Sequence, residues 1–228
     1  MKARFPVLLF DFEGTLVDFQ WNLQDAAREA RNELRELGFE TSTWEENYAT
    51  LRNNAVQLAL QAGSDKCIVM DRLDAIYDRY DRDAASRWSV RPKVRTILAR
   101  LKSERQTKLG LVSNIGRSAI EEALPRLELA GLFDVIITRN DVDLLKPSGE
   151  GIRSALEKLG AANSDVLFIG DSVSDVLGAK DAEVEVAIVQ GGESSSTSLV
   201  AAGIRYLWNA IEELETLCNG GEKIDERI

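Results

Sequence analysis

Short, unbroken apolar runs alternate with helical patterns along this chain, and that alternation constrains its fold more than any other feature. Residues 6–10 read PVLLF and stop at Asp11. Residues 109–113 (LGLVS), 135–138 (VIIT), 166–170 (VLFIG) and 184–189 (VEVAIV) repeat the theme, with 204–207 as a candidate last strand. Runs without polar alternation suit strands buried on both faces, as in a parallel sheet. Between them, residues 95–101, 118–129, 151–159 and 174–182 carry helical spacing. Pro125 is expected to break or kink the second of these, and Gly160 to end the third. The pattern predicts an α/β fold, a doubly wound parallel sheet, with functional residues at the carboxyl ends of its strands.

Residues 18–90 break the rhythm. Leu23, Ala26, Ala27, Ala30, Leu34 and Leu37 recur at helical spacing, as do Trp44, Tyr48, Leu51, Ala55, Leu58 and Ala62. Val69, Leu73, Ile76, Tyr77 and Tyr80 form a third stripe. Thr43 and Glu46 read as a capping box for the second helix. The simplest reading is an all-helical lobe at 18–90 inserted into an α/β core of residues 1–17 and 91–228. Residues 191–198 read as a polar loop and 220–228 as a frayed tail.

Composition removes whole reaction classes. The chain of 228 residues has no histidine and two cysteines. No Ser-His-Asp triad, histidine base or zinc site of three or four Cys/His ligands can be built. A formal net charge of −10 argues against nucleic acid and anionic membrane as partners. Cys67 and Cys218 have no framework spacing and read as reduced, buried thiols, which predicts a cytoplasmic protein. No apolar run is long enough to span a membrane.

The strand ends hold the chemistry. The first ends in Asp11-Phe12-Glu13-Gly14-Thr15, the second in Ser113-Asn114, and a later one in Gly170-Asp171-Ser172-Val173-Ser174-Asp175, with Lys146-Pro147 in a loop before it. Singly, each is read as a turn, a helix cap or a solvated charge. If the first strand neighbours the one ending at Asp171, then Asp11, Glu13, Asp171 and Asp175 converge. Carboxylates that close repel, and a bound cation relieves them. Oxygen ligands without His or Cys select a hard ion, Mg2+ foremost, which commonly shares its shell with substrate phosphate. Lys146, Ser113 and backbone N–H groups suit that phosphate.

In this order, the segments resemble the four motifs of the haloacid dehalogenase superfamily, and the helical insert resembles the cap of its phosphoglycolate-phosphatase-like branch. The resemblance implies a Rossmann-like core and Mg2+-dependent hydrolysis of a small phosphorylated metabolite, in a monomer or homodimer. Asp11 would be the nucleophile that forms an aspartyl-phosphate, and Glu13 the acid–base group. Ser113 and the Asn114 backbone would hold phosphate, and Lys146 would neutralise it. Asp171, Asp175, Asp11 and the Glu13 carbonyl would surround the metal.

Position 13 departs from the pattern, which has Asp there. Glu adds roughly 1.5 Å of reach, one carbon–carbon bond, and a misplacement near 1 Å can cost about 100-fold. A working phosphatase, a phosphotransferase or mutase, and a low-activity phosphate-binding module all remain open at this point. Dehalogenases carry an aromatic residue there, and phosphonatases a small one. Phe19, Gln20 and Trp21 are candidates either for touching substrate or for packing on their own lobe. Arg28, Arg31, Arg52 and Arg72 are candidates for meeting a second anion.

Overall fold

The structure is a computed structural model and describes residues 4–45, 47–104 and 107–218. One sheet contains β1 (Val7–Phe10), β2 (Lys108–Val112), β3 (Val135–Ile137), β4 (Val166–Gly170), β5 (Glu185–Val189) and β6 (Tyr206–Trp208). The order is β3-β2-β1-β4-β5-β6 and every neighbouring pair is parallel. The chain winds outward from β1 to β3, then returns to the other side of β1 with β4. The reversal of direction lies between β1 and β4, where Phe10 pairs with Ile169. Ligands of open parallel sheets bind at that kind of crevice, outside the carboxyl ends of the strands.

Apart from Lys108 and Glu185 at the first positions of β2 and β5, the strands are apolar because both faces are covered. Leu8, Phe10, Leu109, Leu111, Leu167 and Ile169 join one core cluster, whereas Val7, Leu9, Val112, Val166 and Phe168 join the other. Helices α4 (Val94–Glu104) and α5 (Arg117–Arg126) pack on the first side through Ile97, Leu98, Ile120 and Ala123. Helices α6 (Glu150–Leu159) and α7 (Val173–Asp181) cover the second through Ile152, Ala155, Val176 and Ala179. Short helices α8 (Ser196–Ala201) and α9 (Glu213–Cys218) add Leu199 to the second side and Leu214 to the first.

The segment between β1 and α4 holds α1 (Leu23–Glu36), α2 (Tyr48–Gln61) and α3 (Lys66–Ala85), which pack on one another. The chain leaves the sheet at Val17 and returns at Val90, and an antiparallel bridge joins these two residues. Two sequence expectations are corrected here. The cap of α2 is Asn47, whose side chain accepts from the N–H groups of Ala49 and Thr50; Asn47 fills the cap site directly, so Thr43 falls outside the helix, and Glu46 lies outside the described residues. Cys67 is exposed, not buried. The inward stripe of α3 starts at Val69, and residue 67 falls on the opposite face. The Cys218 side chain and the tail at 220–228 lie outside the described residues. Pro125 sits in the last turn of α5, which ends one residue later.

Candidate active site

Asp11 follows β1, and its N–H donates to the Ile169 carbonyl at 2.8 Å. Across the β1–β4 crevice, Asp171 follows β4. The intervening loop turns at Gly14, whose φ of +81° and contact with Asp171 both exclude a side chain: an added Cβ would lie 2.3 Å from Asp171 Oδ2. The Asp171 carboxylate accepts from Thr15 Oγ1 at 3.1 Å and from the Glu193 N–H at 2.6 Å. It is thus held by the loops after β1 and after β5.

Lys146 reaches between the strands. Its ammonium donates to Asp11 Oδ1 at 2.6 Å, Asp175 Oδ1 at 2.7 Å and the Val112 carbonyl at 3.1 Å. Asn114, after β2, clasps the lysine's main chain: its Oδ1 accepts the Lys146 N–H at 3.0 Å and its Nδ2 donates to the Lys146 carbonyl at 3.1 Å. Asn114 Nδ2 also donates to the Tyr48 hydroxyl at 3.2 Å, which ties α2 to the site. Ser113 is buried, and its Oγ accepts from the Ile115 N–H at 3.2 Å, so its own proton remains available to a ligand.

Asp175 caps α7. Its Oδ2 accepts from the N–H groups of Asp171 and Ser172, both at 3.0 Å, and from Ser172 Oγ at 2.7 Å. A carboxylate so occupied fixes the Asp171 loop and the lysine. Glu13 is buried and lines the same pocket. Its Oε1 accepts from Trp88 Nε1 at 2.7 Å and from the Gln20 N–H at 2.8 Å.

Electrostatics follow from crowding. Burial, countered by Lys146 and reinforced by Asp175, pushes Asp11 up to about 6. Burial pushes Glu13 up to about 8 against its two hydrogen bonds. Burial and the neighbouring carboxylates of Asp175 and Asp11 lift Asp171 well above the carboxylate range. Burial works against the Lys146 ammonium, yet Asp11 and Asp175 outweigh it and hold the lysine charged.

Asp11, Asp171 and Asp175 each offer an oxygen, all within 4.8 Å of one another. That donor set, all oxygen and mutually repelling, fits a hard divalent cation. The Glu13 carboxylate is not part of the cluster.

The crevice thus gathers Asp11, Glu13, Ser113, Asn114, Lys146 and Asp171 along one pocket, with Asp175 behind them. Phe19 and Trp21 line it too, whereas Gln20 acts through its backbone on Glu13. Sequence reasoning missed three residues. Trp88 anchors Glu13 from beyond α3. Tyr48, which in the sequence belongs only to a helical stripe, lines the pocket and accepts from Asn114. Glu193 lines the pocket, and burial with the charges of Asp175 and Asp11 pushes it up to about 7. The Gly191-Gly192 pair was its signal: a Cβ on Gly192 would lie 2.0 Å from Asp171 Oδ2, so this loop must press on the site.

The model of the haloacid dehalogenase-like hydrolase family matches residues 8–189. Pyrophosphatase PpaX of Bacillus cereus (strain AH820) is 35% identical over 82 residues, which is 36% of this chain and 38% of that protein. The phosphoglycolate phosphatase of Aliivibrio fischeri is 29% identical over 185 residues, covering 77% of this chain and 80% of its own. A solved HAD-superfamily hydrolase from Ehrlichia chaffeensis shares the fold with a TM-score of 0.58 at 20% identity, over 96% of this chain and 98% of that one. The family match runs from β1 through β5 and so takes in every strand end that feeds the crevice; the chain belongs to the haloacid dehalogenase-like hydrolases and is a hydrolase enzyme.

Proposed function

We propose that the chain is a phosphomonoesterase that works through an aspartyl-phosphate, with Asp11 as nucleophile. The observation that carries this reading is the Lys146 ammonium, buried between Asp11 and Asp175 beside Asp171 and Ser113. A carboxylate oxygen held by a lysine at a strand end is aimed and kept from being lost to solvent. Asp11 attacks phosphorus while the bond to the ester oxygen breaks. Glu13, which burial favours as the protonated acid, gives its proton to the departing oxygen. Water then attacks the aspartyl-phosphate, Glu13 takes back a proton, and the bond from phosphorus to Asp11 breaks. Ser113 Oγ and the Asn114 N–H donate to the phosphoryl oxygens, and Lys146 offsets their charge.

We assign the divalent ion as Mg2+, which Asp11, Asp171 and Asp175 would hold through the oxygens they bring together, with the Glu13 carbonyl as a further donor. Asp175 positions Lys146 and the Asp171 loop. Bound there, the ion would supply positive charge to the phosphoryl oxygens. Residues 18–90 act as a cap that excludes water from the crevice, over a core of 1–17 and 91–228. The free, exposed Cys67 supports a reducing, cytoplasmic setting. Every group invoked lies within one chain. The names of the relatives point to small phosphorylated substrates, phosphoglycolate or pyrophosphate among them.

The test is Asp11→Asn, assayed by phosphate release from an aryl phosphate. Turnover is expected to fall by at least about 1,000-fold, the scale lost when a nucleophile that works as part of a unit is removed. Turnover retained within tenfold would reject the mechanism.

A further inference from the structure

The pocket has many negative side chains and few cations. Asp11, Glu13, Asp171 and Glu193 line it, and Lys146 is the one cation lining it among the described residues. That lysine is already shared by Asp11 and Asp175. The arginines offered by the sequence for a second anion are all engaged elsewhere. Arg28 pairs with Asp25 and Arg72 with Glu33. Arg52 is buried against Asp74 and the Asp143 carbonyl. Arg31 donates to the carbonyls of Thr41 and Trp44. None of them lines the pocket.

The helical side of the pocket is apolar and aromatic. Phe19, Trp21, Leu23 and Tyr48 face it. Trp21 and Tyr48 are in ring contact with centroids 4.4 Å apart, and Trp21 Nε1 is pinned to Asp81 at 2.9 Å. The wall is therefore rigid and offers little to a charged group.

We infer that the substrate is a phosphate monoester whose leaving group carries no second anion and presents an apolar or ring face. This rests on the phosphomonoesterase reading and narrows it. The phosphoryl end takes the pocket's cationic provision, and a further carboxylate or phosphate would lie in the field of Glu193 with no cation to meet it. Two like charges about 6 Å apart at an effective dielectric of about 20 repel enough to cost about 100-fold in affinity. Phosphoglycolate and pyrophosphate, which the relatives' names mention, each carry such a second anion. An aromatic leaving group gains instead from the tryptophan and tyrosine faces.

Benzyl phosphate and 4-carboxybenzyl phosphate differ only in the carboxylate, so their kcat/KM ratio isolates it. With the Mg2+-loaded full chain, benzyl phosphate is expected to lead by about 100-fold. Glu193→Gln is expected to bring that ratio close to one by removing the charge that repels the carboxylate. A ratio near one in the parent protein, or a ratio that Glu193→Gln leaves untouched, overturns the inference and leaves the phosphatase reading standing. Phosphate release from neither ester, nor from phosphoglycolate, overturns the hydrolytic reading and the inference with it.

Discussion

At the scale of single residues, the proposed turnover depends on Glu13. The longer side chain is accommodated: its Oε1 spans to Trp88 Nε1 at 2.7 Å and to the Gln20 N–H at 2.8 Å. An Asp at this position would stop roughly 1.5 Å short of both donors. Loss of that anchorage leaves a buried tryptophan N–H without its acceptor and frees the proposed acid–base group to wander. Glu13→Asp is therefore expected to lower kcat on an aryl phosphate by about 10- to 100-fold, with KM little changed. A rise in kcat would mean that glutamate holds the natural enzyme back. The same residue shows what the sequence could and could not reveal. The carboxylates at positions 11, 13 and 171 were legible because they follow apolar runs at once, and strand ends are where such folds act. Trp88 was not legible, since nothing in its local pattern distinguishes a tryptophan that packs from one that donates to a distant acid. Asp175 is a metal-ligand candidate in the sequence and offers an oxygen to the same cluster; the coordinates add that its two oxygens also accept from Lys146 and from the turn at Ser172.

At the scale of elements, the sheet and its helices followed from periodicity, but the contact between the inserted helices and the sheet did not. That contact is charged. Arg139, just after β3, is fully buried against Asp74, Asp78 and Asp81 of α3. Asp81 in turn accepts from Trp21 Nε1 and from the Gly116 N–H at 2.9 Å each. On α2, Asn53 exchanges hydrogen bonds with the Leu145 main chain at 2.7 and 2.8 Å, one residue before Lys146. Helices α2 and α3 are thus clipped to the loops after β2 and β3, the same loops that carry Ser113 and Lys146. Aspartates at helical spacing on α3 look in the sequence like a solvated face, because their partner lies far away in the chain. Arg139→Met would strand Asp81 in the interior without its counter-charge. The expected loss is about 3–5 kcal/mol in denaturant-measured stability. Pairing it with Asp81→Leu should recover much of that loss, because both buried charges then leave together. Equal stability of Arg139→Met and the parent would show that the clip holds nothing.

At the scale of the whole molecule, the fold concentrates acid. A chain with a formal net charge of −10 brings three aspartate oxygens within 4.8 Å of one another at the β1–β4 crevice, with Glu13 and Glu193 alongside. Lys146 answers Asp11 and Asp175, yet burial, with the neighbouring carboxylates adding to it, still raises Asp11 and Asp171. Such a centre destabilises the folded state by itself, and a ligand that binds only the folded state should recover the deficit. Ligand at about 100 times its Kd adds about 2.7 kcal/mol, and each kcal/mol moves the melting temperature of a chain this size by about 2–4 °C. Mg2+ together with inorganic phosphate is therefore expected to raise Tm by roughly 5–10 °C, and EDTA to reverse the rise. Asp171→Asn removes one ligand charge and part of the repulsion at once. Its apo protein should melt at or above the parent's temperature, while its response to Mg2+ and phosphate should shrink to about a degree or less by the same arithmetic. A full shift in that variant would mean that the ion is held elsewhere, and that the gathering of carboxylates between β1 and β4 serves the fold and not the chemistry.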